Sequence, residues 1–176
     1  MPGTIESLWP QVYTAFADVD CILHAGDLHV EAVIDELESL APTFVCYGNG
    51  DLDVQHAKLR DYWLGDLAGT SVGLVHKFPT PRRATEERLH KKLSQTFDQN
   101  HPEIVIYGHT HLAEVHEIGG RVYVNPGSPT LPNNQSTRFG TVGFLVLTAH
   151  QLAVELHQIT EHGLEKVSSL LVEKTS

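Results

Sequence analysis

The sequence predicts an α/β fold in which two sheets face each other and helices cover their outer sides. Two observations lead to this prediction: helix and strand patterns alternate up to Gly108, and only strand patterns follow it. Alternation followed by a β-meander is typical of layered α/β domains. The chain has 176 residues, of which 41% are hydrophobic and 19% charged. These values fit one globular domain with its own core, so residues 1–176 are treated as a single domain.

Three segments have helical patterns. Residues 8–17 contain Pro10 near their start, where a proline fits the first turn of a helix. Residues 84–99 place apolar side chains on one face of a predicted helix. Residues 30–40 show the i, i+3, i+4, i+7 spacing of a helix that buries one face, through Val30, Val33, Ile34, Leu37 and Leu40.

The other patterned segments are strands. Four short apolar runs, which begin at Cys21, Thr43, Ser71 and Ile104, are expected to be buried strands. Four more strands are predicted after Gly108, at residues 113–118, 121–124, 140–148 and 151–159, with a hairpin turn at residues 119–120. For residues 163–176 we expect either a short extra helix or a C-terminal tail.

Each of the four buried runs is followed by a potential metal ligand. These ligands are Asp27, Asn49, His76 and the pair His109 and His111. Because loops at one edge of an α/β sheet are where sites gather, we expect these side chains to meet. On an extended backbone, side chains at i and i+2 point to the same side, so the two histidines of the pair are expected to face one site.

The ligand types indicate which metals the site would hold. Carboxylate, amide and imidazole groups together suit Mn, Fe, Zn or Co better than Ca²⁺ or a zinc site made of thiolates. Any one of the segments is equally well explained as an ordinary turn, since Gly, Asn and Asp are common turn residues. Repetition of the arrangement at four strand ends favours a metal site.

Composition narrows the functional class. The formal net charge of −10 argues against a broad basic surface for nucleic acid. The sequence contains neither a signal-peptide pattern nor an apolar stretch of membrane-spanning length. Cys21 and Cys46 fall in predicted strands, where we expect buried free thiols rather than a disulfide. His24, also inside an apolar run, is interpreted as a core histidine. These features fit a cytoplasmic enzyme domain.

The series Gly-Asp, Gly-Asn-x-Asp, His, Gly-His-x-His resembles the motifs of the calcineurin-like metallophosphoesterases. The short length, Gly-Asn-Gly-Asp at residues 48–51 and Arg-Val-Tyr-Val-Asn-Pro-Gly-Ser-Pro at residues 121–129 are most similar to the small bacterial YfcE-type phosphodiesterase group. The resemblance covers about residues 3–160 of the chain. It implies a four-layer α/β/β/α sandwich of two mixed sheets. It also implies two divalent transition-metal ions, with manganese as the first choice and Ni, Fe, Zn or Co as alternatives.

The resemblance also implies a role for each ligand. Asp27 would bridge both metals, Asn49, His76 and His109 would complete the second metal, and His111 would belong to the first. The implied reaction is hydrolysis of a small phosphate ester, most of all a phosphodiester, by a hydroxide that bridges the metals. Asp27, Asn49 and His76 are then the catalytic residues, and Asn49 and His76 also bind the substrate.

Residues beside the ligands carry weaker expectations. Asp51 either orients Asn49 by hydrogen bonding or is a plain turn aspartate. Gly50 stands where many relatives have a histidine near the leaving group, so the proton donor is unidentified. His29 follows Asp27 closely and is a candidate for contact with the substrate. Asn125 and Ser128 are expected to shape a tight turn near the site.

One motif of the family is missing from these residues. Members have an N-terminal strand ending in Asp-x-His, which supplies two ligands of the first metal, but no Asp-x-His occurs in residues 1–20. We expect about ten residues upstream of Met1 to encode that strand. The alternative function is a non-catalytic protein-binding scaffold on the same fold. Retention of five converging ligands favours the enzyme, and the oligomeric state stays open, a homodimer included.

Overall fold

The computed structural model describes residues 8–173, so the start of the chain at residues 1–4 lies outside the described residues. Its helices are α1 (Pro10–Ala15), α2 (Ala32–Glu38) and α3 (Glu86–Thr96), each within a segment predicted to be helical. Short 3-10 turns occupy Pro81–Arg83 and Pro132–Asn134. The strands are β1 (Ile22–His24), β2 (Thr43–Cys46), β3 (Leu59–Arg60), β4 (Tyr62–Leu67), β5 (Thr70–Val75), β6 (Ile104–Tyr107), β7 (Ala113–Ile118), β8 (Arg121–Pro126), β9 (Thr141–Leu147), β10 (Gln151–Thr160) and β11 (Gly163–Glu173).

The strands form one large sheet and two small ones. The large sheet is mixed and has the order β4-β5-β6-β8-β7. One small sheet, β1-β2-β3, is parallel, and the other, β11-β10-β9, is antiparallel. Parallel neighbours β1 and β2, and likewise β5 and β6, end at the same edge of their sheets. This arrangement places the loops that follow these four strands close together.

Packing of the sheets produces four layers. One buried apolar cluster joins the large sheet to both small sheets; it contains Cys46, Val72, Leu74, Ile104, Ile106, Leu152, Val154 and Leu156. Helices α1 and α2 pack on the small sheets in a second cluster, and α3 packs on the large sheet in a third. The predicted α/β/β/α sandwich is therefore confirmed. Cys21 and Cys46 are free thiols, as expected, and burial raises the pKa of Cys46 to about 12.

The C-terminal segment differs from the prediction. Residues 163–173 form neither a short helix nor a tail but the long strand β11, which pairs with β10 along its whole length. Most β11 side chains are exposed, so the segment lacks the alternation of apolar and polar residues by which strands are recognised. It is held by its pairing with β10 and by Leu164, Leu170 and Val172, which are partly buried against the core. Residues 174–176 lie outside the described residues.

The sheet that faces the large sheet also differs from the prediction of one mixed sheet, because it consists of the two separate sheets β1-β2-β3 and β11-β10-β9. Within residues 8–173, no strand pairs with the outer edge of β1 or with the outer edge of β9. A cavity of about 650 Å³ lies between these two edges and is lined by both strands. Asp27, His76, His109 and His111 line the same cavity. The open edges and the candidate site are thus parts of one region of the molecule.

Candidate metal centre

Loops from four strands bring candidate ligands together at one edge of the sandwich. Ligand atoms of Asp27, His76 and His109 all lie within 4.8 Å of one another. The amide oxygen of Asn49 joins them, since Oδ1 lies 3.1 Å from His76 Nε2. Asp27 follows β1, Asn49 follows β2, and the two histidines follow β5 and β6. The order and direction of the strands therefore explain why distant residues meet.

His76 lies at the centre of this cluster, and a backbone carbonyl orients its ring. The residue is 6% exposed, directly after β5. Its Nδ1 lies 2.6 Å from the carbonyl oxygen of Ala25. Because a carbonyl oxygen only accepts, Nδ1 carries the proton and donates it, and Nε2 of the neutral ring has a lone pair. Metal-binding histidines are commonly oriented by this kind of bond to a carbonyl oxygen.

The groups around His76 Nε2 are suited to one cation. Asp27 Oδ2 lies 3.4 Å away, Asn49 Oδ1 lies 3.1 Å away and His109 Nδ1 lies 3.3 Å away. A carboxylate oxygen, an amide oxygen and an imidazole nitrogen are all ligand types that divalent transition metals accept. Metal–ligand bonds of about 2.1 Å place neighbouring ligand atoms roughly 3.0–3.4 Å apart. The spacing and chemistry of the four groups therefore fit a divalent transition metal.

His111 does not belong to this cluster. Its Nδ1 faces the carbonyl oxygen of Leu131 at 2.8 Å, which leaves Nε2 as the atom able to bind a metal. His109 and His111 have φ angles of 68° and 55°, so their backbone is left-handed rather than extended. The predicted extended backbone at these two residues was wrong, although both residues line the same cavity. The chain turns immediately after Gly108, as its carbonyl accepts a hydrogen bond from the Thr110 N–H at 2.8 Å.

Asn125 holds this turn in place. Its buried side-chain amide donates to the carbonyl oxygen of Gly108 at 3.1 Å and to Thr110 Oγ1 at 2.8 Å. Its Oδ1 accepts from the Gly127 N–H at 2.9 Å. Ser128 Oγ accepts from the Leu131 N–H at 3.0 Å in the same region. Both residues shape the turns beside the candidate ligands, as the sequence predicted.

Asp51 joins the loops that follow β1 and β2. The carboxylate is fully buried; its Oδ2 accepts from the N–H groups of Asp27 and Gly48 at 2.9 and 2.8 Å. Its Oδ1 accepts from the His29 N–H at 2.9 Å. The two loops approach so closely that a Cβ on Gly48 would lie 2.2 Å from Asp27 N. Asp51 therefore holds the backbone of both loops through hydrogen bonds. The sequence had suggested either a bond that orients Asn49 or a plain turn aspartate, and neither describes this role.

The surroundings lower the pKa of nearby histidines. Partial burial lowers the pKa of His109, and the neighbouring His76 and Lys77 lower it further. Desolvation also lowers the pKa of His29, whose residue as a whole is exposed. Burial lowers the pKa of His24 to about 4, and this half-buried ring lines the cavity between β1 and β9. A neutral imidazole is the form that binds a metal, so the environment of His109 favours coordination.

Comparison with known proteins identifies the family. A profile of the calcineurin-like phosphoesterase superfamily domain matches residues 6–151, most of the chain. The chain belongs to the calcineurin-like phosphoesterase superfamily. It is also 35% identical over 134 residues to a probable metallophosphoesterase of Methanothermobacter thermautotrophicus, a match that covers 75% of this chain and 73% of the relative. The ligand cluster thus occurs in a family of metal-dependent phosphoesterases.

Solved structures of this superfamily fold are similar over nearly the whole chain. Vacuolar protein sorting 29 from Cryptosporidium parvum has a TM-score of 0.80 at 15% identity, with 99% of this chain and 93% of that chain covered. Vps29 from Entamoeba histolytica, solved in complex with Zn²⁺, has a TM-score of 0.73 at 22% identity, with 98% and 93% covered. At these identities the likeness concerns the fold. None of the helices in residues 8–173 is both long and apolar enough to cross a membrane.

Proposed function

We propose that this protein is a metal-dependent phosphoesterase that hydrolyses phosphodiesters with two divalent cations, manganese first among them. One observation supports the proposal most strongly. His76 Nε2 lies 3.4 Å from Asp27 Oδ2 and 3.1 Å from Asn49 Oδ1. This spacing fits three ligand atoms of one divalent transition metal. Superfamily membership supports phosphoester hydrolysis as the use of that cation.

The ligands have distinct chemical roles in the proposed reaction. Two cations about 3.5–4 Å apart, when bound, make a shared water acidic enough to attack phosphorus and neutralise charge on the phosphoryl oxygens. Asp27 has two oxygens for bridging: Oδ2 faces His76, and Oδ1 accepts from the Gly50 N–H at 2.7 Å. Asn49 contributes a neutral oxygen, which limits the negative charge that an anionic ester meets. Two hydrogen bonds, His76 to the Ala25 carbonyl and the Asp27 N–H to Asp51, hold His76 and Asp27 in position before the substrate binds.

The open side of the site suits a small anionic ester. Tyr47 and Lys77 border a cleft that also includes Asn49, His76 and His109. The exposed Lys77 ammonium attracts a phosphate to the ligand cluster in a protein whose formal net charge is −10. The same net charge disfavours nucleic acid as a partner. We therefore propose a small phosphate ester as the substrate of a cytoplasmic enzyme with free thiols.

Hydrolysis of bis(p-nitrophenyl) phosphate in the presence of Mn²⁺, by the chain extended with an N-terminal strand ending in Asp-x-His that supplies two further ligands, tests this function. We expect Asp27→Ala or His109→Ala to remove most of the activity, at least about 100-fold, because each deletes a metal ligand. His150→Ala is the matched control, since His150 is exposed in the turn between β9 and β10. Metal-loaded protein that hydrolyses neither phosphodiesters nor phosphomonoesters would refute the proposal.

A non-catalytic protein-binding scaffold is the second candidate. It is favoured by an apolar row across the β9–β11 sheet, in which Ala153 pairs with both Val146 and Leu171. Val146 is 55% exposed and Leu171 is 60% exposed. Exposed apolar patches of this kind mark interaction surfaces. The structural neighbours include vacuolar sorting proteins, whose fold this chain shares. Metal binding without any ester hydrolysis would favour this candidate over the enzyme.

A further inference from the structure

The His29 side chain occupies an unusual place beside the ligand cluster. A Cβ built on Gly50 would lie 2.7 Å from His29 Cε1 and 2.8 Å from His29 Nε2. The imidazole therefore contacts Gly50 directly and occupies the space that a side chain at position 50 would need. Gly50 does not have a positive φ, so backbone conformation is not what requires a glycine there. Room for the histidine ring is the structural reason for glycine at this position.

The backbone holds the ring at this place. His29 has a left-handed φ of 65°, which is costly for a residue with a side chain. The conformation is stabilised by the hydrogen bond from the His29 N–H to the buried carboxylate of Asp51, which also binds the Asp27 N–H. One buried group thus sets the positions of both His29 and the candidate bridging ligand. The hydrogen bond to Asp51 thus keeps His29 in a backbone conformation that is otherwise unfavourable.

The His29 ring also lies close to the candidate metal ligand Asp27. The Gly50 N–H on which it rests donates to Asp27 Oδ1, and His29 interacts electrostatically with Asp27, Asp51 and His111. The His29 residue is exposed, so an imidazole nitrogen is open to a ligand that enters from solvent. Asn49 and Lys77 lie on the side of the ligand cluster that includes His76 and His109. His29 thus lies next to Gly50 and Asp27, and the cleft with Lys77 lies at the other ligands of the same cluster.

We propose that His29 is a substrate-contacting residue whose imidazole N–H donates a hydrogen bond to the phosphoryl or leaving oxygen of the ester. The inference rests on the proposed function for the identity of the ligand. His29, on the loop after β1, would make the contact with the substrate that a side chain at position 50, on the loop after β2, would otherwise make. Glycine at position 50 then leaves the room that the His29 ring needs to make this contact.

Phosphate binding by the Zn²⁺-loaded chain tests the contact without relying on turnover, because Zn²⁺ is diamagnetic and allows NMR of the imidazoles. We expect inorganic phosphate to shift the His29 ring resonances. His29→Ala should weaken phosphate binding about tenfold, the loss expected for one hydrogen bond to a charged group, with zinc content unchanged. In the His29→Ala background, Gly50→His should restore part of the affinity once the Asp27 carboxylate shifts by a few tenths of an ångström, because the new Cβ would lie 3.1 Å from Asp27 Oδ1. His150→Ala serves as the control.

The outcomes separate this inference from the proposed function. Unchanged phosphate affinity in His29→Ala, or no phosphate binding by the zinc-loaded wild type, overturns the contact. A tenfold loss that Gly50→His partly repairs supports it, whether or not the protein hydrolyses bis(p-nitrophenyl) phosphate. Hydrolysis with an unaffected His29→Ala supports the proposed function and overturns the contact. Phosphate binding through His29 without hydrolysis of any ester supports the contact and refutes the enzyme.

Discussion

Asp51 is the side chain on which the shape of the candidate site depends most. Its buried carboxylate accepts three backbone N–H groups, from Asp27, His29 and Gly48. In Asp51→Asn an NH₂ group replaces one oxygen and faces donors, so at least one buried N–H loses its acceptor. We expect the free energy of unfolding to fall by about 2 kcal/mol, measured by urea denaturation. Asp53→Asn, two residues further in an exposed position, should change it little. Equal stability of the two variants would contradict this role.

His24 should make the stability of the protein depend on pH. Burial lowers its pKa to about 4, below the value of about 6.5 in an unfolded chain. The stabilisation is therefore fully present above about pH 6.5 and is lost as the pH falls towards 4, by about 3 kcal/mol at most. His24→Asn keeps an acceptor for the Gly26 N–H, which bonds His24 Nδ1, but does not titrate. We expect its stability to fall less over this range in thermal melts; parallel curves would contradict the prediction.

The sequence predicted the identity of the candidate ligands better than their surroundings. Asp27, Asn49 and His76 follow strands whose apolar composition is visible, so their convergence could be predicted. The carbonyl oxygen of Ala25 that orients His76 has no sequence signal, because every residue has one. The position of the His29 ring depends on a left-handed backbone and on an empty position 50, which are tertiary features. Lys77 directly follows His76, and that adjacency is a signal which could have identified it.

Elements with an apolar face were predictable, and elements without one were not. Strand β7 has the bounds predicted from its alternating pattern, and α3 begins where Thr85 accepts a hydrogen bond from the Arg88 N–H. Strands β3 and β4 were not predicted: β3 has only two residues, and β4 contains Gly65, which weakens a strand pattern. Strand β11 is mostly exposed and pairs with β10 along its whole length. Periodicity predicts strands with a regular buried face, so it does not detect a strand such as β11 in which few side chains are buried.

Within residues 8–173, β1 and β9 are edge strands of their sheets, and this gives a prediction for an added element. The cavity between them has a volume of about 650 Å³, and its lining includes Asp27 and His111. Following the resemblance to family members, we expect an N-terminal apolar strand ending in Asp-x-His to pair with these edges. Adding such a strand should raise the melting temperature by on the order of 5 °C. It should also increase bound Mn²⁺ from about one to about two equivalents, measured by metal analysis.

A matched extension separates the two effects of that strand. The same segment ending in Ala-x-Ala should still fill the cavity and pair with both edges, so the gain in melting temperature is expected to persist. It brings no ligands, so the second metal equivalent should be absent. An Asp-x-His extension that changes neither melting temperature nor metal content would show that the strand does not bind at this place.

A metal bound at the candidate site would link layers that are otherwise held by apolar packing. Asp27 and Asn49 follow strands of a small sheet, whereas His76 and His109 follow strands of the large sheet across the buried core. A cation bound by all four therefore connects both sheets of the sandwich. Because unfolding separates these ligands, binding stabilises the folded chain in proportion to the logarithm of metal concentration. The fold and the site are thus energetically coupled.

This coupling predicts a large effect of metal removal on the 176-residue chain. With free Mn²⁺ at about 100 times its dissociation constant, we expect about 2.7 kcal/mol of added stability and an increase in melting temperature that a chelator reverses. Metal content should be nearer one equivalent than two, since four candidate ligands converge on one position and only Asp27 and His111 remain for a second. His109→Ala should abolish most of the increase, and His162→Ala, on the exposed β10–β11 turn, should keep it. Two tightly bound equivalents, or a melting temperature indifferent to the chelator, would contradict the assignment of these four residues as one metal centre.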